Sequence, residues 1–112
     1  MKIDAKTVDD VLVVKLYETR LDSYIATEFR DEMDRYAKQA STQIVLDLTD
    51  VEFVDSSGLG AIVTTQKRLG RERDLVICGA NESVTRLFKL ARLDKIFRIV
   101  SDENEALASL AS

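Results

Sequence analysis

The feature that most constrains the fold is a regular alternation between short apolar runs and longer amphipathic stretches. The chain opens with Ile3 and Ala5, which alternate with polar neighbours, and with the apolar run 11–17. Each later apolar run is separated from the next by apolar residues at helical spacing. This pattern is typical of a mixed sheet with right-handed crossovers and helices packed against it. The sequence therefore predicts an α/β fold with a small mixed β-sheet, in the order β-β-α-β-α-β-α-β-α, within a single domain of residues 1–112.

Local signals place the individual elements. The turn TVDD at residues 7–10 predicts a hairpin, the continuous apolar run 43–48 predicts a strand buried on both faces, and residues 95–100 predict the last strand. Gly70 is expected to end the second helix. The apolar stripe of the first helix consists of Ala26, Phe29, Met33, Ala37 and Ala40. The candidate N-caps of the first, third and fourth helices are Asp22 or Ser23, Asn81 or Ser83, and Ser101 or Asp102.

The residue types that the chain lacks exclude several classes of site. It has no histidine, which excludes a Ser-His-Asp triad and a histidine-ligated metal, and its single cysteine, Cys78, can form neither an internal disulfide nor a CxxC pair. A net charge of −4 without a long basic block gives no indication of nucleic-acid binding. No signal peptide or membrane-spanning run is visible in the sequence. We therefore expect a cytoplasmic protein with no membrane insertion, metal or cofactor.

The motif DSSGLG, residues 55–60, stands where an apolar run gives way to a predicted helix. The simplest interpretation is a helix start, in which Asp or Ser caps free backbone N–H groups and Gly58 permits a tight turn. A nucleophile elbow would need G-x-S-x-G and a base, and neither serine has the leading glycine. A phosphate-binding loop would need a lysine after the glycines. Neither of these two motifs is present.

A third interpretation is that a serine of this motif accepts a phosphate. A helix N-terminus carries roughly half a positive charge and several free N–H donors, so the fold would tolerate a phosphoserine there. The phosphate would add about 1.5 to 2 negative charges beside Asp55. A partner docked on this turn would then have to desolvate that charge. The domain would keep its fold and lose its partner.

Two segments carry a family resemblance. IVLDLTDVEFVDSSGLGAIV (residues 44–63) and SVTRLFKLARLDKIFRIV (residues 83–100) resemble the anti-sigma factor antagonists, bacterial single-domain proteins of the STAS fold. The resemblance extends from residue 11 to about residue 108. It implies a regulator without catalytic activity of its own. In that family the unphosphorylated form sequesters a GHKL-type serine kinase that is also an anti-sigma factor, and so releases its target, a sigma factor or another regulator. Phosphorylation by the kinase ends this binding, and a PP2C-type serine phosphatase restores it.

The resemblance also implies roles for individual residues. Ser56, the first serine of the motif, is the phosphate acceptor, and we expect it to serve as the N-cap as well. The residues expected to bind the partner are Asp22, Asp55, Ser56, Ser57, Gly58, Leu59 and Gly60.

The chain departs from the family pattern in two places. The segment before Asp22 reads LYETRLD, without the usual glycine and with one residue more, which changes the edge of the expected docking surface. Arg92 stands where the family often has a glycine, so the helix end there is expected to differ in shape.

Two alternatives remain open from the sequence. The chain could be a constitutive STAS subunit of a larger transporter-associated or stress-sensing complex, with Ser56 acting only as a helix cap. It could also be an enzyme that uses a serine hydroxyl, activated by a lysine in place of the missing histidine.

Overall fold

A five-stranded mixed sheet forms the centre of the protein, with helices on both of its faces. The computed structural model describes residues 1–39 and 43–111. Its strands are β1 (Ile3–Val8), β2 (Val11–Leu16), β3 (Arg20–Leu21), β4 (Ile44–Asp47), β5 (Phe53–Val54), β6 (Leu75–Cys78) and β7 (Arg98–Val100). Its helices are α1 (Ala26–Gln39), α2 (Ser56–Leu69), α3 (Glu82–Leu90) and α4 (Glu103–Leu110), with a short 3-10 helix at Leu93–Lys95.

The sheet has the strand order β1-β2-β4-β6-β7. β1 runs antiparallel to β2, and all other neighbours are parallel. The β1–β2 hairpin turns at Asp9 and Asp10, whose φ angles are 50° and 67°. Positive φ at both central positions is typical of a type I′ turn, whose twist matches that of the strands. The predicted hairpin and mixed sheet are confirmed, although β1 extends to Val8 and shortens the turn from the four residues of TVDD to two.

The two faces of the sheet have separate apolar cores. The cross-strand row Val14, Leu46 and Ile77 belongs to the larger core, under α1, α2 and α3. The adjacent row, Val13, Val45 and Val76, belongs to a smaller core with Ala106 of α4. Every residue of β4 and β6 is therefore buried, as the continuous apolar run 43–48 predicted for β4.

Several of the predicted helix ends are confirmed. Asn81 caps α3, and Asp102 caps α4. Gly70 ends α2 with φ 76°, a backbone conformation in which a side chain would be strained. The prediction that Ala40 continues the stripe of α1 concerns a position outside the described residues.

The prediction of a strand over residues 95–100 is correct only from Arg98 onward. Arg92 has φ 60° and ψ 24°, in the left-handed region, and the short 3-10 helix follows it before β7 begins. An L-residue other than glycine in this region costs about 1 kcal/mol or more. Arg92 therefore adopts the backbone conformation for which a glycine at this position is suited.

Two strands of two residues each were missed in the sequence. β3 and β5 form a small parallel sheet of their own, in which Arg20 pairs with Phe53 and Leu21 pairs with Val54. Each of these strands leads directly into the segment that begins a helix.

Candidate functional site

The small β3–β5 sheet brings the two acidic residues of the expected docking surface together. Because Leu21 and Val54 are paired, Asp22 and Asp55 follow at the ends of adjacent parallel strands. The Asp55 N–H donates to the Leu21 carbonyl at 3.2 Å, and one carboxylate oxygen of Asp55 accepts from the Ser23 N–H at 3.1 Å. The start of α2 is thus tied to the turn before α1.

Asp55 is the N-cap of α2. Its backbone is extended, with φ −100° and ψ −176°, and its second carboxylate oxygen accepts from the Gly58 N–H at 2.9 Å. The helix begins at Ser56, so the prediction that Ser56 is the N-cap is wrong. Asp55 is the cap because β5 and the hydrogen bond to Leu21 hold its backbone extended. From an extended backbone the side chain can accept the N–H of the third helical residue.

Ser56 and Ser57 are left with free hydroxyls. Both side chains are exposed, and neither hydroxyl has a hydrogen-bond partner among residues 1–39 and 43–111. The first turn of α2 also has no acidic side chain, although the positive end of a helix dipole favours one. Two serine hydroxyls therefore lie at a helix N-terminus that can accommodate added negative charge.

The two glycines of the motif have different roles. Gly58 is buried, and a Cβ built on it would lie 2.2 Å from the Leu21 carbonyl oxygen. Gly58 therefore allows α2 to approach the β3 backbone closely, rather than permitting the tight turn that the sequence predicted. Gly60 is exposed, and a Cβ built on it would meet no other atom within 4 Å. Leu59 is half-buried against the larger core.

Asp22 lies beside the motif but is only 8% exposed. Its carboxylate accepts from the Tyr24 N–H at 3.0 Å and from Arg20 Nε at 3.1 Å, and its carbonyl accepts from the Ala26 N–H at 2.8 Å. Asp22 therefore organises the turn that precedes α1. Since α1 begins at Ala26, neither Asp22 nor Ser23 stands directly before the helix, and the prediction that one of them is its N-cap is wrong. Only a small part of its carboxylate is available to a partner.

The segment LYETRLD (residues 16–22), which is one residue longer than the family pattern, is anchored to β5. The Thr19 carbonyl accepts hydrogen bonds from the Glu52 N–H at 2.7 Å and from the Phe53 N–H at 3.2 Å. The edge of the expected docking surface is thus held by backbone hydrogen bonds without the usual glycine.

Tyr24 is a candidate binding residue that the sequence did not indicate. It lies in the turn between Asp22 and α1, and its side chain is 93% exposed. An exposed tyrosine is a frequent anchor in protein–protein interfaces. No local motif marks this residue, because its importance depends on its position next to the Asp55 turn.

The described residues offer little support for catalysis at this site. Both carboxylate oxygens of Asp55 are engaged by backbone N–H groups, so no base is hydrogen-bonded to Ser56. Among residues 1–39 and 43–111, no group of three potential metal ligands occurs. Burial first, and then the charge of Asp47, raise the pKa of the distant Cys78 thiol to about 12, which makes it unreactive and consistent with the predicted core role.

None of the helices in the described ranges combines the length and the apolar character needed to cross a membrane.

Comparison with known proteins places this geometry in a family. The STAS domain model matches residues 2–106. An anti-sigma F factor antagonist of Paenibacillus polymyxa is 34% identical over 102 residues, covering 89% of this chain and 86% of that protein. An anti-sigma-B factor antagonist of Listeria monocytogenes is 33% identical over 86 residues, covering 76% and 75%. The crystal structure of an anti-sigma factor antagonist from Mycobacterium paratuberculosis has a TM-score of 0.89 at 25% identity, covering 97% and 92%. These matches confirm the resemblance seen in the sequence.

Proposed function

Because this chain belongs to the STAS domain family, and is an anti-sigma factor antagonist by homology at moderate identity, we propose that it is a partner switch controlled at Ser56. Its unphosphorylated form binds and sequesters a regulatory protein kinase, and its phosphorylated form releases that kinase.

The observation that carries the proposal is the free, exposed hydroxyl of Ser56 at the first position of α2. Asp55 provides the cap, so Ser56 is not needed to complete the helix. A phosphate on Ser56 would lie near the unpaired N–H groups of the first turn, where the helix dipole stabilises anions. The same phosphate would add about 1.5 to 2 negative charges next to the Asp55 carboxylate.

A modification of this kind separates folding from binding. The cap, the Gly58 contact and the apolar core do not involve the Ser56 side chain, so the phosphorylated domain stays folded. A partner surface matched to the neutral serine would have to bury an uncompensated charge, which costs roughly 3 to 5 kcal/mol. Phosphorylation at Ser56 therefore abolishes binding.

The proposed docking surface consists of the start of α2 and the adjoining turn before α1. Its members are Asp22, Tyr24, Asp55, Ser56, Ser57, Gly58, Leu59 and Gly60. Tyr24 is the proposed aromatic anchor, while the buried Asp22 and Gly58 shape the surface more than they contact the partner.

The proposed partners are of two kinds. A GHKL-type serine kinase that is also an anti-sigma factor binds the unphosphorylated surface and modifies Ser56. A PP2C-type serine phosphatase removes the phosphate. Since the kinase uses ATP, we propose that the switch operates in the cytoplasm and controls the release of a sigma factor or another regulator held by the kinase.

The two alternatives have less structural support. The constitutive-subunit alternative explains Ser56 as a helix cap, and that explanation does not fit, because the cap is Asp55. A serine enzyme has no hydrogen-bonded base at Ser56 among the described residues.

A pull-down from lysate of the source organism, with ATP or ADP present, tests the proposal. The baits are wild type, Ser56→Ala, Ser56→Asp and, as the matched control for an exposed neighbouring hydroxyl, Ser57→Asp. We expect wild type and Ser56→Ala to retain a kinase-type ATPase, Ser56→Asp to lose it, and Ser57→Asp to lose less of it. Equal retention by all four baits would show a fixed subunit.

A further inference from the structure

An open apolar groove lies between β5 and α3, outside the proposed switch surface. Val54 and Val84 form its floor, and its walls include Phe53, Leu87 and Leu90. Phe53 is 42% exposed and Leu90 is 76% exposed, which is unusual for such large apolar side chains. The groove has a volume of about 280 Å³, at the lower end of the range of small-molecule pockets, and it is partly open to solvent. These properties favour a segment of polypeptide over an enclosed ligand.

The rim of the groove is basic. The Arg20 guanidinium lies over the Phe53 ring, 4.4 Å from its centroid, and Arg86 lines the opposite wall. The two cations at the groove are therefore Arg20, which covers Phe53, and Arg86, which lines the groove, on a chain with a net charge of −4.

These cations remain available to a partner. Arg20 pairs with Asp22 at 3.1 Å and Arg86 pairs with Glu82 at 3.4 Å, and both arginine side chains are largely exposed. The Arg86–Glu82 pair is exposed at both ends and contributes about 1 kcal/mol or less, so a partner's carboxylate can share the Arg86 guanidinium at little cost. Arg20 donates to the buried Asp22 from Nε, and its side chain is still 60% exposed to a partner.

We propose that the β5–α3 groove is a second docking site, which binds an acidic amphipathic helix of a partner protein. Apolar side chains at i, i+3, i+4 and i+7 spacing would pack between Phe53 and Leu90. Carboxylates on the flanks of that helix would face Arg20 and Arg86. The proposal does not depend on phosphorylation of Ser56, and its test needs only the purified protein.

The test is a fluorescence anisotropy titration with a designed helical peptide of about 18 residues. Leucines occupy the i, i+3, i+4, i+7 positions of this peptide, and glutamates occupy most of the others. The matched control peptide has lysines in place of the glutamates. We expect saturable binding of the acidic peptide that weakens at high salt, and at least tenfold weaker binding of the lysine peptide.

Protein variants assign that binding to the groove. We expect Leu90→Glu to weaken the affinity for the acidic peptide by about tenfold or more, and Arg86→Glu to weaken it by several fold. Ile96→Glu is the matched control, because Ile96 is also an exposed aliphatic residue (51%) but does not line the groove. It should change the affinity by less than about twofold. Thermal unfolding of each variant confirms that it is folded.

Several outcomes would overturn the proposal. They are failure to saturate at about 1 mM peptide, equal binding of the two peptides, and equal weakening by Leu90→Glu and Ile96→Glu. Sedimentation that shows a wild-type dimer broken by Leu90→Glu would assign the groove to a second copy of this chain. Leu90-dependent binding to phosphatidylglycerol vesicles without binding of the acidic peptide would assign it to a membrane surface.

Discussion

The N-termini of α2 and α4 begin in the same way and then differ. Each has an aspartate N-cap whose side chain accepts the N–H of the third helical residue, at 2.9 Å from Gly58 to Asp55 and at 2.8 Å from Glu105 to Asp102. In α4 the next three residues include Glu103 and Glu105, whereas in α2 they are two serines and a glycine. The two helices therefore have the same kind of N-cap, and they differ in the residues of the first turn.

This difference separates a helix start that is electrostatically complete from one that is not. α4 carries two carboxylates near its positive end, and the Glu105 side chain also accepts the Ser101 N–H at 3.3 Å. The first turn of α2 contains no carboxylate, and its two exposed hydroxyls have no partners within the described ranges. The start of α2 can thus accept the negative charge of an added phosphate, whereas glutamate side chains already supply negative charge at the start of α4.

Of the substitutions that test this comparison, we expect the largest change in stability at Gly58, the third residue of α2. Gly58→Ala places a Cβ against the Leu21 carbonyl, and we expect the free energy of unfolding to fall by about 3 kcal/mol. Gly60→Ala, in the same helix with open space around it, should stabilise the protein by about 0.5 to 1 kcal/mol. Urea unfolding of the two variants measures both effects, and equal stabilities would show that α2 does not need close contact with β3.

The two caps should differ in strength. Asp102→Ala removes one cap and should cost about 1 kcal/mol. Asp55→Ala should cost about 2 kcal/mol, because it also leaves the Ser23 N–H without its acceptor. Urea denaturation measures this difference. If Asp55→Ala cost no more than Asp102→Ala, the tie between α2 and the turn before α1 would contribute nothing to stability.

The smallest effect concerns the carboxyl pair at the start of α4. A hydrogen bond with Asp47, together with burial, raises the pKa of Glu103, while Lys6 partly opposes the shift. Burial would raise the pKa of Asp47, but hydrogen bonds from Glu103 and Thr49, with the charge of Lys15, outweigh it and leave that pKa below its usual value. As the pH falls, the folded protein therefore protonates Glu103 of this pair before Asp47.

The sign of the pH dependence follows from the raised pKa. The contribution of protonated Glu103 to stability is fully present below its unfolded pKa, and it is lost as the pH rises through the folded pKa. Glu103→Gln keeps a neutral donor at every pH, so it should not show this loss. Relative to wild type, it should gain about 1 kcal/mol or less as the pH rises from 4 to 7. Thermal unfolding across this range measures the difference, and parallel curves for the two proteins would contradict the shared proton.

The sequence predicted those parts of the fold that depend on local pattern. The hairpin, the buried strand β4 and the end of α2 at Gly70 each have a signal within a few residues. The β3–β5 pair has no such signal, because two-residue strands are too short to show a period. The β3–β5 pair is visible only in the structure, which brings together two segments that are far apart in the sequence.

The candidate site shows the same limit. Asp55, Ser56 and Ser57 are all good capping residues, and only the extended backbone after β5 selects Asp55. Gly58 owes its role to Leu21, a contact between residues far apart in sequence. The proximity of Asp22 to the motif was expected from the family resemblance alone, and Tyr24 was not expected at all. Tertiary contacts therefore decided what the local pattern left open.

The most direct test of the switch is to measure how phosphorylated Ser56 changes affinity for the kinase retained in the pull-down. Isothermal titration would compare wild type with protein phosphorylated at Ser56, while circular dichroism confirms that both are folded. The switch predicts at least about 100-fold weaker binding of the phosphorylated protein with an unchanged fold, since burying an uncompensated charge costs roughly 3 kcal/mol or more. Affinities within about threefold of each other, for two folded proteins, would contradict it.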